Sequence, residues 1–218
     1  MMSRTFCCFR VRGVRPTLVL CLLLLLGGSP TLLSKDDQDD ARRIVEELRV
    51  AEGAVLGEIG AGTGEVALEV AELLGKEGKI YTNELDKKKI ETLRERASSS
   101  KGAAIEVLDA LADGSNFPDG CCDGMYMRDV YHHFTEPAKL VAHFYRNLKP
   151  GGRLVVIDFR PGSRSNRAAP AGVPENRGGH GIPIAVLREE LEAGGFQHVE
   201  TIEQWRDNLF AVIVVKPK

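Results

Sequence analysis

The sequence predicts one doubly wound α/β domain: a seven-stranded sheet, mostly parallel, with an antiparallel C-terminal strand. Three observations carry that expectation. Short apolar runs alternate with amphipathic helical patterns from Val55 to Phe159, the signature of right-handed βαβ units and of a sheet covered on both faces. A glycine-rich turn, EIGAGTGE at Glu58 to Glu65, joins the first such run to the helix after it. Near the end, FQHVETI and NLFAVIVVKP read as two strands whose link is too short for a helical crossover, so they should pair antiparallel.

Each element has its own warrant. Asp36 to Ala51 is acidic at its start and carries Ile44, Val45 and Leu48 at helical spacing, which predicts a lead-in helix. VLGEI is the first strand, and EVALEVAELLG is a helix closed by Gly75. KIYTNE is the second strand, DKKKIETLRERA a charged helix and AAIEVL the third strand. DGMYMRDV is the fourth, followed by the helix PAKLVAHFYRNL, which stops at Lys149-Pro150-Gly151-Gly152 before the fifth strand, RLVVIDF. Residues 161–182 are rich in Gly, Pro and Arg. A loop of that length reads as flexible, or as a lid over a site. Pro183 and IAVLREELEAGG then form the last helix.

Residues 1–34 are a separate object, leaving 35–218 as the domain. Arg4, Arg10, Arg12 and Arg15 precede an uncharged, leucine-rich run from Pro16 to Leu33. That is the pattern of a signal peptide or a signal anchor, with residues 16–33 as the membrane contact. Basic residues before the run and acids after it (Asp36, Asp37) would place the body outside the cytoplasm; a misassigned start would leave it in the cytoplasm.

Charge and cysteine content exclude several function classes. The 218 residues carry a formal net charge of −2, and without the leader's four arginines 25 basic residues face 31 acidic ones, a net of −6. No basic field is available to capture nucleic acid. Of five cysteines three lie in the leader, leaving the neighbours Cys121 and Cys122, which rules out a disulfide scaffold and offers no metal-ligand spacing.

The glycine loop points to a ligand against bare backbone. Gly60 and Gly62 permit a sharp turn and close approach, and Gly64 opens the helix. A dinucleotide site would want G-x-G-x-x-G, but the sixth position from Gly60 is Glu65, whose carboxylate would repel a pyrophosphate. Glu58 ends the first strand and can meet an ammonium or loop amides. Glu84 ends the second, where an acid can hold both hydroxyls of a ribose. A ribose, an amine and a carboxylate without phosphate describe S-adenosylmethionine.

At this point the sequence resembles the class I S-adenosylmethionine-dependent methyltransferases over roughly residues 52 to 216. EIGAGTG, NEL, VLDALADGSNFPDGCCDGMYMRDVYHHF and LKPGGRLVVIDFRP stand in the family's order and spacing. The nearest likeness is to small bacterial enzymes of the ubiquinone/menaquinone type (methyltransferase type 11), including exported members. The resemblance implies a Rossmann-like fold, S-adenosylmethionine as cofactor and a small-molecule methyl acceptor. It implies that Glu58, Gly60, Gly62 and Gly64 line the methionine end and that Glu84 takes the ribose hydroxyls. Leu85 would pack on adenine, Asp109 would accept from its amine with Ala110 alongside, and the main chain near Arg128 would face the methionine amine.

Chemistry at the acceptor is expected from DVYHHF after the fourth strand, with Asp129, Tyr131 and His132 as catalytic candidates, then His133 and Asp158. His180, in the long loop, would close over the site or stay a surface residue. No metal is expected, because neighbouring histidines point apart in extended chain and no third ligand is evident. The substrate class narrows by absences. An N-P-P-Y-like segment for DNA adenine, a cysteine placed for RNA cytosine C5, and an Asp-Asn pair for magnesium-dependent catechol-type chemistry are all missing. Two rivals remain: an NAD(P)-dependent oxidoreductase, and a non-catalytic cofactor-binding protein that keeps the fold. The oligomeric state is not legible.

Overall fold

The computed structural model describes residues 34–111, 114–164 and 166–218. Seven strands form one sheet in the order β3-β2-β1-β4-β5-β7-β6. They are β1 Val55–Ile59, β2 Lys79–Glu84, β3 Ala104–Asp109, β4 Cys122–Arg128, β5 Leu148–Phe159, β6 Gln197–Arg206 and β7 Leu209–Val215. The helices are α1 Lys35–Leu48, α2 Glu65–Leu74, α3 Lys87–Ser98, α4 Pro137–Asn147 and α5 Ile184–Ala193. Pairing is parallel from β3 across to β5, and β7 runs antiparallel to both β5 and β6. The expected mostly parallel sheet with one reversed C-terminal strand is therefore the observed one.

The sequence explains why the sheet is buried on both faces. Along β5, Val155 and Ile157 join α1 and α2 residues such as Ile44, Leu48 and Val70 in one core. Leu154 and Val156 join Val141 and Phe144 of α4 and Leu187 of α5 in the other. A strand apolar at every position is what a two-faced burial requires. The fifth strand also starts earlier than its apolar run, because Leu148 pairs with Cys122 before a register shift carries the ladder to Gly124 and Arg153.

Helix ends follow side-chain chemistry. Ser34 caps α1 by accepting from the Asp37 N–H at 3.1 Å, and Asp86 caps α3 by accepting from the N–H groups of Lys88 and Lys89. Pro137 starts α4, where its missing N–H costs nothing.

Strand order reverses between β1 and β4: the chain winds outward to β3, then returns to lay β4 against the other side of β1. Ligands in such sheets sit in the crevice outside the carboxyl ends of the strands at that switch point. Among the described residues, no helix is long and apolar enough to cross a membrane. The expected leader, with its apolar run, lies almost wholly outside the described residues.

Candidate active site

A crevice of roughly 650 Å³ opens at the switch point, lined by the glycine loop, the ends of β2 and β4 and the turn after β4. A wider depression of roughly 800 Å³ lies at the opposite edge, at the amino ends of β1, β4 and β5. It is shallow, and Lys149 there is already paired with Asp123 at 2.6 Å. The crevice, with its convergent polar groups, is the candidate site.

The loop owes its shape to three glycines in the left-handed region, with φ of +68° at Gly60, +61° at Gly62 and +90° at Gly64. Their roles differ. A Cβ on Gly60 would stand 2.6 Å from a Val130 methyl, and one on Gly64 would stand 2.7 Å from Leu93, so both are demanded by packing. A Cβ on Gly62 would meet nothing within 4 Å, and Gly62 lines the crevice. Gly60 N–H donates to Asn83 Oδ1 at 3.1 Å, and Asn83 is held in turn by donating to the Ser115 carbonyl. Asn83 was missed in the sequence reading, although it stands beside Glu84 in the second-strand motif.

Glu84 lines the crevice as expected. Its Oε2 accepts from Gly62 N–H at 2.8 Å, and its Oε1 accepts from the N–H groups of Leu85 and Asp86. The carboxylate is thus oriented by three backbone donors and keeps a lone pair on Oε2 for a ligand hydroxyl. Leu85 is 68% exposed and faces the crevice, as does Leu111, another exposed apolar side chain. Together they give this part of the crevice wall an apolar surface.

Glu58 is buried at the floor, its Oε2 accepting from the Thr82 hydroxyl at 3.2 Å. Burial pushes its carboxyl up to about 7, against the pull of Thr82 and the Arg128 charge. The Arg128 guanidinium is drawn toward α1 by Asp37 and Asp40, at 2.7 Å each. Arg128 also lines the crevice.

Several expectations need correction. Asp109 does not line the crevice: at the end of the edge strand β3 its side chain turns outward to Arg94 of α3, at 2.8 Å, and is 81% exposed. Ala110 and Leu111 occupy the wall instead. Tyr131 is fully buried, its hydroxyl spent on Glu190 of α5 at 3.0 Å. His132 is also buried, with Nδ1 2.8 Å from Asp158 Oδ1, and it does not line the crevice either. Glu65 does not present a bare charge. Arg96 reaches it at 2.7 Å and Thr63 donates to it, and these bonds outweigh the cost of burial to hold the carboxyl below its ordinary range. The repulsion argued against a pyrophosphate is therefore largely cancelled.

Asp129 does line the crevice. It is a non-glycine residue at φ +60°, a conformation that persists only where the surroundings enforce it. One oxygen, Oδ2, pairs with Arg164 at 2.9 Å, while Oδ1 is buried without a partner among the described residues. His133 lines the crevice beside it. The histidines do not point apart, because Tyr131–His133 is a 3-10 turn and not extended chain. The His132 and His133 rings lie 4.0 Å apart between centroids, and His180 packs against both.

Residues 57–156 match the family described as a methyltransferase domain. Over that segment the chain is similar to methyltransferase domains. The ubiquinone/menaquinone biosynthesis C-methyltransferase UbiE of Francisella philomiragia is 29% identical over 120 residues, 54% of this chain and 48% of its own. This chain thus spans about half the length of the curated relatives it matches. An S-adenosylmethionine-dependent methyltransferase from Aquifex aeolicus shares the fold with a TM-score of 0.67 at 20% identity, over 84% of this chain and 94% of that one. The phosphoethanolamine N-methyltransferase 2 of Haemonchus contortus, solved with phosphomonomethylethanolamine and S-adenosylhomocysteine, has a TM-score of 0.64 at 17% identity, over 83% of this chain and 53% of that one. At such identities the two structures speak for the methyltransferase fold alone.

Proposed function

We propose that the protein transfers the methyl group of S-adenosylmethionine to a small organic acceptor. The observation that carries this reading is the crevice wall itself. A Cβ-free backbone stretch at Gly62 adjoins an oriented carboxylate at Glu84 and an exposed leucine pair, Leu85 and Leu111. That set fits a nucleoside sugar, its flat base and an amino-acid tail. Glu84 would hold the sugar hydroxyls, Leu85 and Leu111 the base, and Glu58 with the Arg128 main chain the ammonium end. When bound, the cofactor supplies an electrophilic methyl group and its own leaving group, so the protein's share is alignment and charge.

At the acceptor end, Asp129 lines the crevice with its carboxylate held by Arg164, and it is the group that would take a hydrogen bond or a proton from the nucleophile. The test is calorimetry with S-adenosylmethionine, S-adenosylhomocysteine and NAD, followed by single-turnover methylation of an acceptor panel by wild type and Asp129→Asn. The reading expects both adenosyl ligands to bind one per chain, NAD not to bind, and the variant to lose at least tenfold in rate. Binding of NAD alone would overturn it, while binding without any turnover would favour the non-catalytic rival. The basic start and apolar run of residues 1–34 support export or anchoring of this activity, which cell fractionation with a C-terminal tag would decide.

A further inference from the structure

Three imidazoles meet at the edge of the crevice. His132 and His133 stand on the turn after β4 and His180 on the loop before α5, and one ring nitrogen from each lies within 4.8 Å of the others. Asp158 Oδ1 sits 2.8 Å from His132 Nδ1, and Asp158 Oδ2 accepts from the His132 backbone N–H at 3.1 Å. A carboxylate can only accept, so Nδ1 carries a proton, and in the neutral ring Nε2 keeps a lone pair. That Nε2 is buried and has no partner among the described residues, and the same holds for His180 Nδ1. A buried polar atom left in this way is a cost to the fold unless something satisfies it. Ring packing alone leaves both unexplained.

We propose that His132, His133 and His180 bind a divalent transition-metal ion of the zinc class. Imidazole nitrogen is the donor type that such ions prefer. The Asp158–His132 pair is the carboxylate–histidine arrangement that orients a metal-binding ring and raises its basicity. Three protein ligands leave a fourth position open, the mark of a reactive rather than a purely structural site. Ligand nitrogens around a tetrahedral zinc stand about 3.3 Å apart, given metal–nitrogen bonds near 2.0–2.1 Å. The trio must therefore draw together. His180 is flanked by Gly178, Gly179 and Gly181, all at positive φ, so of the three its backbone carries the fewest side-chain constraints on such an adjustment. His133 also lines the cofactor crevice, so the ion would stand beside the acceptor. Only that placement rests on the methyltransferase reading; the metal site itself does not.

The experiment uses the full chain stripped with chelator and no adenosyl ligand. Zn²⁺ is titrated by calorimetry and Co²⁺ by visible absorption, with adenosyl-ligand binding measured separately so that the two readings fail independently. We expect one ion per chain and cobalt bands of nitrogen ligation without a thiolate charge-transfer band. His133→Ala and His180→Ala, at the two less buried positions, should each weaken binding at least tenfold while melting as wild type does. Asp158→Asn should weaken it 10- to 100-fold, the usual effect of losing such an orienting partner. The proposal is overturned if no ion binds, if a thiolate band shows Cys121 and Cys122 to be the ligands, or if neither histidine variant changes the affinity.

Discussion

Replacing Glu58 by glutamine should flatten one part of the protein's pH–stability curve. The side chain is 4% exposed, and burial raises its carboxyl from an ordinary 4.5 to about 7 in the folded state. Because the folded pKa is the higher one, the native state holds the proton more tightly than the unfolded chain. The associated stability is fully present below pH 4.5 and is lost as pH climbs through 7. Each pKa unit corresponds to about 1.4 kcal/mol, so the difference accumulates to about 3 kcal/mol at alkaline pH, and most of it falls between pH 5 and pH 8. Glutamine keeps the shape and a hydrogen-bonding oxygen for Thr82 but cannot ionise.

Urea unfolding of wild type and Glu58→Gln at pH 5, 6, 7 and 8 and constant ionic strength isolates this group, since other titrations cancel in the difference. The variant should gain on wild type by about 2–3 kcal/mol across that range, with unchanged dependence on urea concentration. A stability difference that stays level with pH would refute the reasoning, because it would mean that Glu58 ionises normally in the folded protein.

Two further pairs of variants separate packing from ligand contact. Gly62→Ala and Gly60→Ala both place a Cβ at positive φ, costing about 1–2 kcal/mol. Only the second also drives into Val130, so it should melt lower, while Gly62→Ala stays folded and loses at least tenfold in affinity for S-adenosylmethionine by calorimetry. Asp109→Asn should leave that affinity within about twofold, since its side chain turns away from the crevice to an exposed ion pair of little energetic weight with Arg94, whereas Glu84→Gln should weaken it tenfold or more.

The sheet and the glycine loop were legible because their signals are local. Apolar runs, helix caps and positive-φ glycines are properties of neighbours in sequence, and the β1–α2 turn needs no distant residue to be recognised. Side-chain direction was less legible, because it depends on what another element brings. Asp109 and Glu84 are register partners on adjacent strands, yet one turns to Arg94 and the other to the Gly62 amide. Tyr131 looked reactive beside two histidines, but Glu190 of α5 claims its hydroxyl. Glu65 looked repulsive until Arg96, 31 residues away, was placed against it.

The 161–182 segment shows a contact that composition does not reveal, for the same reason. Glycine, proline and arginine read as a flexible loop or a lid, yet the fully buried Arg177 is clamped by both oxygens of Glu190, at 2.8 and 3.1 Å. Removing either partner from such a pair leaves an uncompensated charge and costs about 3–5 kcal/mol, so the contact is an anchor and not an incidental surface pair. On one side of it Arg164 reaches Asp129; on the other Ile182 N–H donates to the Phe159 carbonyl at 2.9 Å. The glycines between these ties supply the turns that bring His180 back to the end of β4. Sequence shows His132-His133 and His180 as distant, unrelated histidines; the buried arginine helps make them neighbours.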